Sequence, residues 1–192
     1  MTTSPSTSLQ DRARLIAIIK QRSFEKGGEK KLASGRTSNF YFNMKPTMLH
    51  AEGAHLIGRL VLQALKGETV DLVGGLEMGA VPIAASVAAV AHTRGRKLPA
   101  FFVRKQAKEH GTQSLVEGLA KGDSMAGKKV VIVEDVTTTG DSALKAAQAL
   151  KVEGAEIVRV IAIVDRLDGA AEAFAGAGLE FVPVLTLGDF RK

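Results

Sequence analysis

The sequence has no cysteine and no tryptophan, and its aromatic side chains are eight phenylalanines and one tyrosine. The missing cysteines exclude a disulfide-stapled fold, a thiolate zinc site and a cysteine nucleophile together. So few aromatics make a poor stacking platform for single-stranded nucleic acid. No apolar run reaches the roughly 18 residues of a membrane span, and residues 1–10 are polar and Ser/Thr-rich, without the apolar stretch of a secretory signal. There is no Gly-x-x-x-x-Gly-Lys-Ser/Thr string, and no Gly-x-Gly-x-x-Gly follows a strand, so a P-loop and a dinucleotide fingerprint are both absent. His50, His55 and His92 lack metal-ligand spacing and read as helix or loop residues.

What remains is a chain of 192 residues, 45% apolar and 24% charged, with a formal charge of +6. That balance excludes a disordered tail and supplies a core of ordinary size. The charge calls for an anionic partner without naming it. The expectation is one cytoplasmic domain that acts on small molecules rather than on nucleic acid or membrane.

Apolar residues at positions 9, 13, 15, 16, 18 and 19 fit a helix face. Turn chemistry over 34–39 leads into a short aromatic strand, Phe40-Tyr41-Phe42. Helices are expected near 49–65, 81–92, 141–152 and 170–177. Strands are expected at 71–73, 100–103, 129–133, 157–164 and 181–185, while 104–127 shows no strong period. Strands that are apolar at every position are buried on both faces, as in a parallel sheet covered by helices. The alternating order gives the same α/β class. The fold expected is a mainly parallel sheet flanked by helices, one domain over 1–192, with residues 1–45 as an N-terminal hood. Ligands bind beyond the carboxyl ends of such strands, which directs attention to the loops after Val73, Val103, Val133 and Val164.

The loop after Val133 is the most informative: Glu134-Asp135-Val136-Thr137-Thr138-Thr139-Gly140-Asp141-Ser142. Two adjacent carboxylates at the end of a buried strand repel each other and resist desolvation unless a cation or hydroxyl-rich group meets them. A sugar diol, a metal-bound water shell, or both would serve. The threonines and glycine that follow lead into a helix start, where free amides and the helix dipole cradle an anion. A diol receptor beside a phosphate cradle describes a sugar phosphate. Taken alone, part of this string would be no more than a capped helix.

A second cluster, Arg104-Lys105-Gln106-Ala107-Lys108-Glu109-His110-Gly111, opens the polar stretch. Its cations suit a polyanion such as pyrophosphate, and glycines at 111, 118 and 122 suit a lid that opens for product release. By itself a solvated charged loop would be the commoner explanation. Asp165-Arg166 ends another strand, where a guanidinium can grip a carboxylate at two points or form a surface ion pair.

The strand, acid pair and Thr/Gly loop together resemble the type I phosphoribosyltransferases. The resemblance implies that Glu134 and Asp135 hold the ribose hydroxyls of phosphoribosyl pyrophosphate (PRPP). It further implies that Val136, Thr137, Thr138, Thr139, Gly140, Asp141 and Ser142 surround the 5′-phosphate. The basic cluster is similar to the catalytic loop of the orotate-using branch, which closes over the neighbouring site of a homodimer. Lys105 and Lys108 would then serve the pyrophosphate, with Arg104 and His110 also touching PRPP, and Lys108 and Asp135 would be the catalytic pair. Residues 34–43 are similar to that branch's hood segment, which implies Tyr41 and Phe42 over the pyrimidine and Arg166 with Thr138 on the orotate. The implied reaction joins PRPP and orotate to give orotidine 5′-phosphate and pyrophosphate in pyrimidine synthesis, with Mg²⁺ bridging pyrophosphate and ribose oxygens. A purine phosphoribosyltransferase, or a non-catalytic nucleotide- or RNA-binding regulator on the same fold, are the alternatives. Two lysines of other members are missing, at Ala33 and in Glu77-Met78-Gly79-Ala80; Lys31 and Lys45 are candidates to compensate, and neither is assigned. Gly74, Gly75 and Gly79 remain suited to close backbone approach.

Overall fold

The computed structural model describes residues 5–31, 37–106 and 114–191. Helix α1 (Pro5–Arg22) turns Leu15, Ile18 and Ile19 inward, a helical stripe buried against the rest of the chain. Strand β1 (Phe24–Lys31) then pairs antiparallel with β2 (Thr37–Phe42). The sequence gives no warning of β1, because FEKGGEKK has a single apolar residue. Its pairing rests on β2 and on Phe24, whose ring lies 5.0 Å from Phe42 and 5.4 Å from Phe190.

A single turn α2 (Lys45–Met48), unexpected from the sequence, precedes the helix expected over 49–65, which is α3 (Ala51–Ala64). His50 breaks them by adopting extended backbone, and its Nδ1 accepts a hydrogen bond from the Gly53 amide at 3.4 Å. Strand β3 (Leu72–Gly74), helix α4 (Ala80–Thr93), and the two-residue strands β4 (Phe102–Val103) and β5 (Val116–Glu117) follow. The chain closes with β6 (Lys129–Thr137), α5 (Asp141–Val152), β7 (Glu156–Asp165), α6 (Ala170–Gly176), β8 (Phe181–Thr186) and a 3₁₀ turn, Leu187–Phe190.

The central sheet has the order β3-β6-β7-β8, and its three pairings are all parallel. Strand β4 instead pairs antiparallel with β5 and touches the edge of the sheet only through single parallel bridges, Val73 to Ala100 and Leu76 to Val103. Along β6 the side chains alternate between two apolar layers. Val131 and Val133 join the layer of α1, α3 and α4, whereas Val130 and Ile132 join that of α5 and α6. This explains a strand with no polar position from 130 to 133. The strand does not stop there. Ten-residue β7 stays paired with it to the contact of Thr137 with Asp165, so the acid pair lies inside the strand rather than after it. Among the described residues no helix is long and apolar enough to cross a membrane.

Gly74 and Gly75 serve this packing. A Cβ on Gly74 would lie 2.3 Å from the Phe101 carbonyl oxygen, and one on Gly75 would lie 2.3 Å from that of Val133. Gly74→Ala is therefore expected to lower stability by about 1–3 kcal/mol through overpacking. Urea denaturation should show a lower midpoint at an unchanged slope; an unshifted midpoint would refute this account of the β3 edge.

Candidate functional site

The extension of β6 decides where the two acids point. Glu134 pairs in register with Ala162 of β7 and is only 7% exposed, while Asp135 is half-buried. The Oε2 atom of Glu134 has no hydrogen-bond partner among the described residues. Burial drives the Glu134 carboxyl well above its ordinary range. The neighbouring charge of Asp135 and a hydrogen bond with it push the same way, and Lys105 offsets only part of this. A buried carboxyl with an unsatisfied oxygen is costly unless it awaits a ligand.

Past Thr137 the chain turns through Thr138, Thr139 and Gly140 into α5. Gly140 occupies the position before the first helical residue with φ +87°, and no side chain caps the helix. A left-handed backbone favours glycine there. A Cβ would also lie 2.9 Å from the Phe174 ring, so Gly140 is required twice. With no side-chain cap, the first amides of α5 open onto a cavity of about 270 Å³ lined by Thr137 to Ser142 and by Lys145. That cavity lies where the sequence reading places an anion cradle. Lys145, one turn into the helix, adds a cation that the loop motif alone did not reveal; helical side chains lean toward the N-terminus, which brings it back over the loop.

A second cavity of about 500 Å³ is lined by Lys45, Glu77, Met78, Lys105 and Asp135 among others. It shares Glu134, Val136 and Ser142 with the first, whereas Asp135 lines the second alone, so Glu134 stands between the two spaces. The loop after β3 meets the acids directly, since a Cβ on Gly79 would come 2.6 Å from Asp135 Oδ1. Gly79 makes room for the carboxylate. Glu77 Oε1 accepts a hydrogen bond from the Lys105 amide at 2.9 Å, tying the start of the basic segment to that loop. Arg104 Nε donates to the Gln106 carbonyl at 3.2 Å, and its Nη1 lies 3.9 Å from Glu117. Lys108 and His110 fall outside the described residues, as does Ala33. In the sequence Glu77 stands only in a string that lacks a lysine and Lys45 is one of two candidate cations; the fold is what brings both to the cavity of the acids.

At the end of β7, Asp165 and Arg166 do not form a surface ion pair. Both are buried, and Asp165 Oδ1 accepts from the Leu167 amide at 2.9 Å. Arg166 is 4% exposed; its Nη1 donates to the Phe40 carbonyl at 3.1 Å and its Nε to Asp168 Oδ2 at 3.4 Å. Its amide donates to the Thr137 carbonyl at 3.0 Å, which joins the guanidinium's strand to the threonine loop. Alternation along β2 separates the two aromatic candidates. Tyr41 is 36% exposed, whereas the Phe42 ring packs into the core at 5.0 Å from both Phe24 and Phe190. The expected face-on contact from Phe42 is thus corrected: its ring is committed to the aromatic cluster.

Comparison with known proteins agrees with this geometry. The model of the phosphoribosyl transferase domain matches residues 46–175. An orotate phosphoribosyltransferase of Rhodopseudomonas palustris (strain TIE-1) is 58% identical over 179 residues, 93% of this chain and 95% of that protein. The crystal structure of Mycobacterium tuberculosis H37Rv orotate phosphoribosyltransferase with Fe(III) dicitrate superposes with a TM-score of 0.81 at 40% identity, covering 95% of this chain and 99% of the other. The same organism's enzyme in complex with PRPP gives a TM-score of 0.76 at 37% identity, over 93% and 98% of the two chains.

The raised carboxyl of Glu134 makes a signed prediction. A carboxyl whose folded-state affinity for protons exceeds its unfolded one favours the fold while protonated, and that advantage is lost as pH rises from the ordinary glutamate range toward the folded value. Glu134→Gln cannot ionise, so its stability relative to the natural chain should grow between about pH 4 and pH 7. Denaturant curves across that range check this; a constant difference would show that burial of the charge is not what the fold opposes.

Proposed function

The chain belongs to the phosphoribosyltransferase family, among the orotate phosphoribosyltransferases, and from that membership we propose how its own residues transfer phosphoribosyl from PRPP to orotate in pyrimidine biosynthesis. The observation that carries the reading is Glu134 lining both the threonine-loop cavity and a second cavity that bears lysines, with Asp135 beside it in the second. PRPP has the same order: a 5′-phosphate, a ribose diol, then pyrophosphate.

The open amides before α5, with the hydroxyls of Thr137, Thr138, Thr139 and Ser142, receive the 5′-phosphate, and Val136, Gly140 and Asp141 shape the turn. Glu134 and Asp135 accept hydrogen bonds from the ribose hydroxyls, which gives the buried Oε2 its missing donor. Arg104, Lys105, Lys108 and His110 hold the pyrophosphate, with the basic segment reaching the neighbouring site of a homodimer. Orotate carries a carboxylate that fits a guanidinium at two points, and we assign that contact to Arg166, with Thr138 and Tyr41 as further orotate-binding residues.

As the bond from C1 to the pyrophosphate oxygen breaks, positive charge develops on the sugar and negative charge on the leaving group. Orotate N1 then bonds to C1 and gives up its proton to the departing pyrophosphate or to water, leaving orotidine 5′-phosphate and free pyrophosphate. Asp135 and Glu134 favour the first charge and the lysines the second, so catalysis is alignment and charge stabilisation. No covalent nucleophile is required. The hard oxygens of Glu134 and Asp135 fit a divalent cation whose remaining ligands come from the substrate, a donor set suited to Mg²⁺. Bound there, the ion would neutralise charge on the pyrophosphate. The absence of cysteine agrees with a cytoplasmic location.

The direct test is loss of orotate absorbance in a mixture of the protein, PRPP and Mg²⁺, where a flat trace beside an active control would reject the reading. Lys108→Ala should lower kcat by about 10²-fold while the thermal transition moves little. Unchanged turnover would remove that lysine from the reaction.

A further inference from the structure

We propose that Lys45, the first residue of α2, is a pyrophosphate-binding residue of this site, supplying from a fixed helix a cation that the loop after β3 does not carry. The inference rests on the PRPP reading given above. Within the cavity that holds the acid pair, Lys45 and Lys105 are the lysines among the described lining residues, facing the carboxylates of Glu77, Glu134 and Asp135. Three carboxylates against two lysines leave that lining short of positive charge, so a polyanion entering the space depends on each of the two cations. Glu77 is already committed in part to the Lys105 amide.

Two features make α2 the source. The loop after β3 brings no side chain to the site from Gly79, and a Cβ there would come within 2.6 Å of Asp135 Oδ1, so the carboxylate would have to shift to admit one. Helix α2 is also firmly seated. Met44, Thr47 and Met48 are buried, the hydroxyls of Thr47 and Ser23 lie 2.6 Å apart, and the Thr47 carbonyl presses on Gly53, where a Cβ would approach to 2.3 Å. Lys45 itself is exposed, and no ion pair to it is found among the described residues. Its ammonium is a compact charge on a flexible stem raised from a rigid base, which suits the spread oxygens of a diphosphate. Lys105 differs, since it leads directly into the basic segment.

The test compares PRPP with ribose 5-phosphate, which lacks the diphosphate. By calorimetry, Lys45→Met should weaken PRPP binding about tenfold or more and leave ribose 5-phosphate within about twofold. Lys45→Arg should restore most of the PRPP affinity, and in steady state the KM for PRPP should rise while that for orotate holds. If Lys45→Met binds PRPP as the natural chain does, or weakens both sugars alike, the assignment to pyrophosphate is wrong. If the natural chain binds neither sugar and turns over no orotate, the PRPP reading itself falls.

Discussion

A carboxyl group held out of water at the carboxyl end of a parallel strand is the constraint around which the molecule is arranged. Glu134 could sit at a protein surface at almost no cost, yet β6 carries it inward and leaves one oxygen without a partner. The energy for this comes from elsewhere in the strand. Val130 to Val133 bury both faces of β6 completely, and pairing with β7 continues past the acids to Thr137. Stability is thus concentrated in the layer below the site, where it can tolerate strain at the rim. A ligand that donates to Glu134 relieves the penalty and gains affinity that an exposed acid could not provide.

The strand end is also joined sideways to every other part of the pocket. Gly79 packs on Asp135, the Thr137 carbonyl accepts from the Arg166 amide, and the Arg166 side chain reaches the Phe40 carbonyl on β2. Strand β2 is in turn fixed by the cluster of Phe24, Phe42 and Phe190, with the Arg191 guanidinium 5.7 Å from the centre of the Phe40 ring. The two ends of the chain therefore meet behind the arginine expected to recognise the base.

What could be read from the residues alone was the part whose chemistry is local. The apolar run of β6, the acid pair, the threonine loop and α5 are contiguous, and each has one physical reading in that order. The limits of β6 were less legible, because pairing with β7 rather than side-chain pattern keeps 134–137 extended. Strand β1 was invisible for a related reason: hydrogen bonds from β2 hold a polar segment that has no hydrophobic signal of its own. Tyr41 and Phe42 are adjacent in sequence and go to opposite faces, a distinction that only the aromatic cluster resolves. Lys45 and Glu77 lie 89 and 57 positions before Glu134 in the numbering, so no motif could have joined them to it.

The close fit of Gly79 to Asp135 has an evolutionary consequence. Any lineage that gained a side chain at position 79 would first have had to reposition the acid, and any that lost the acid would open a hole beside the glycine. Neither change is neutral on the present background, so the two sites are expected to diverge as a unit. Chimeras among relatives will tolerate exchange of the whole β3 loop together with the end of β6 better than exchange of either piece.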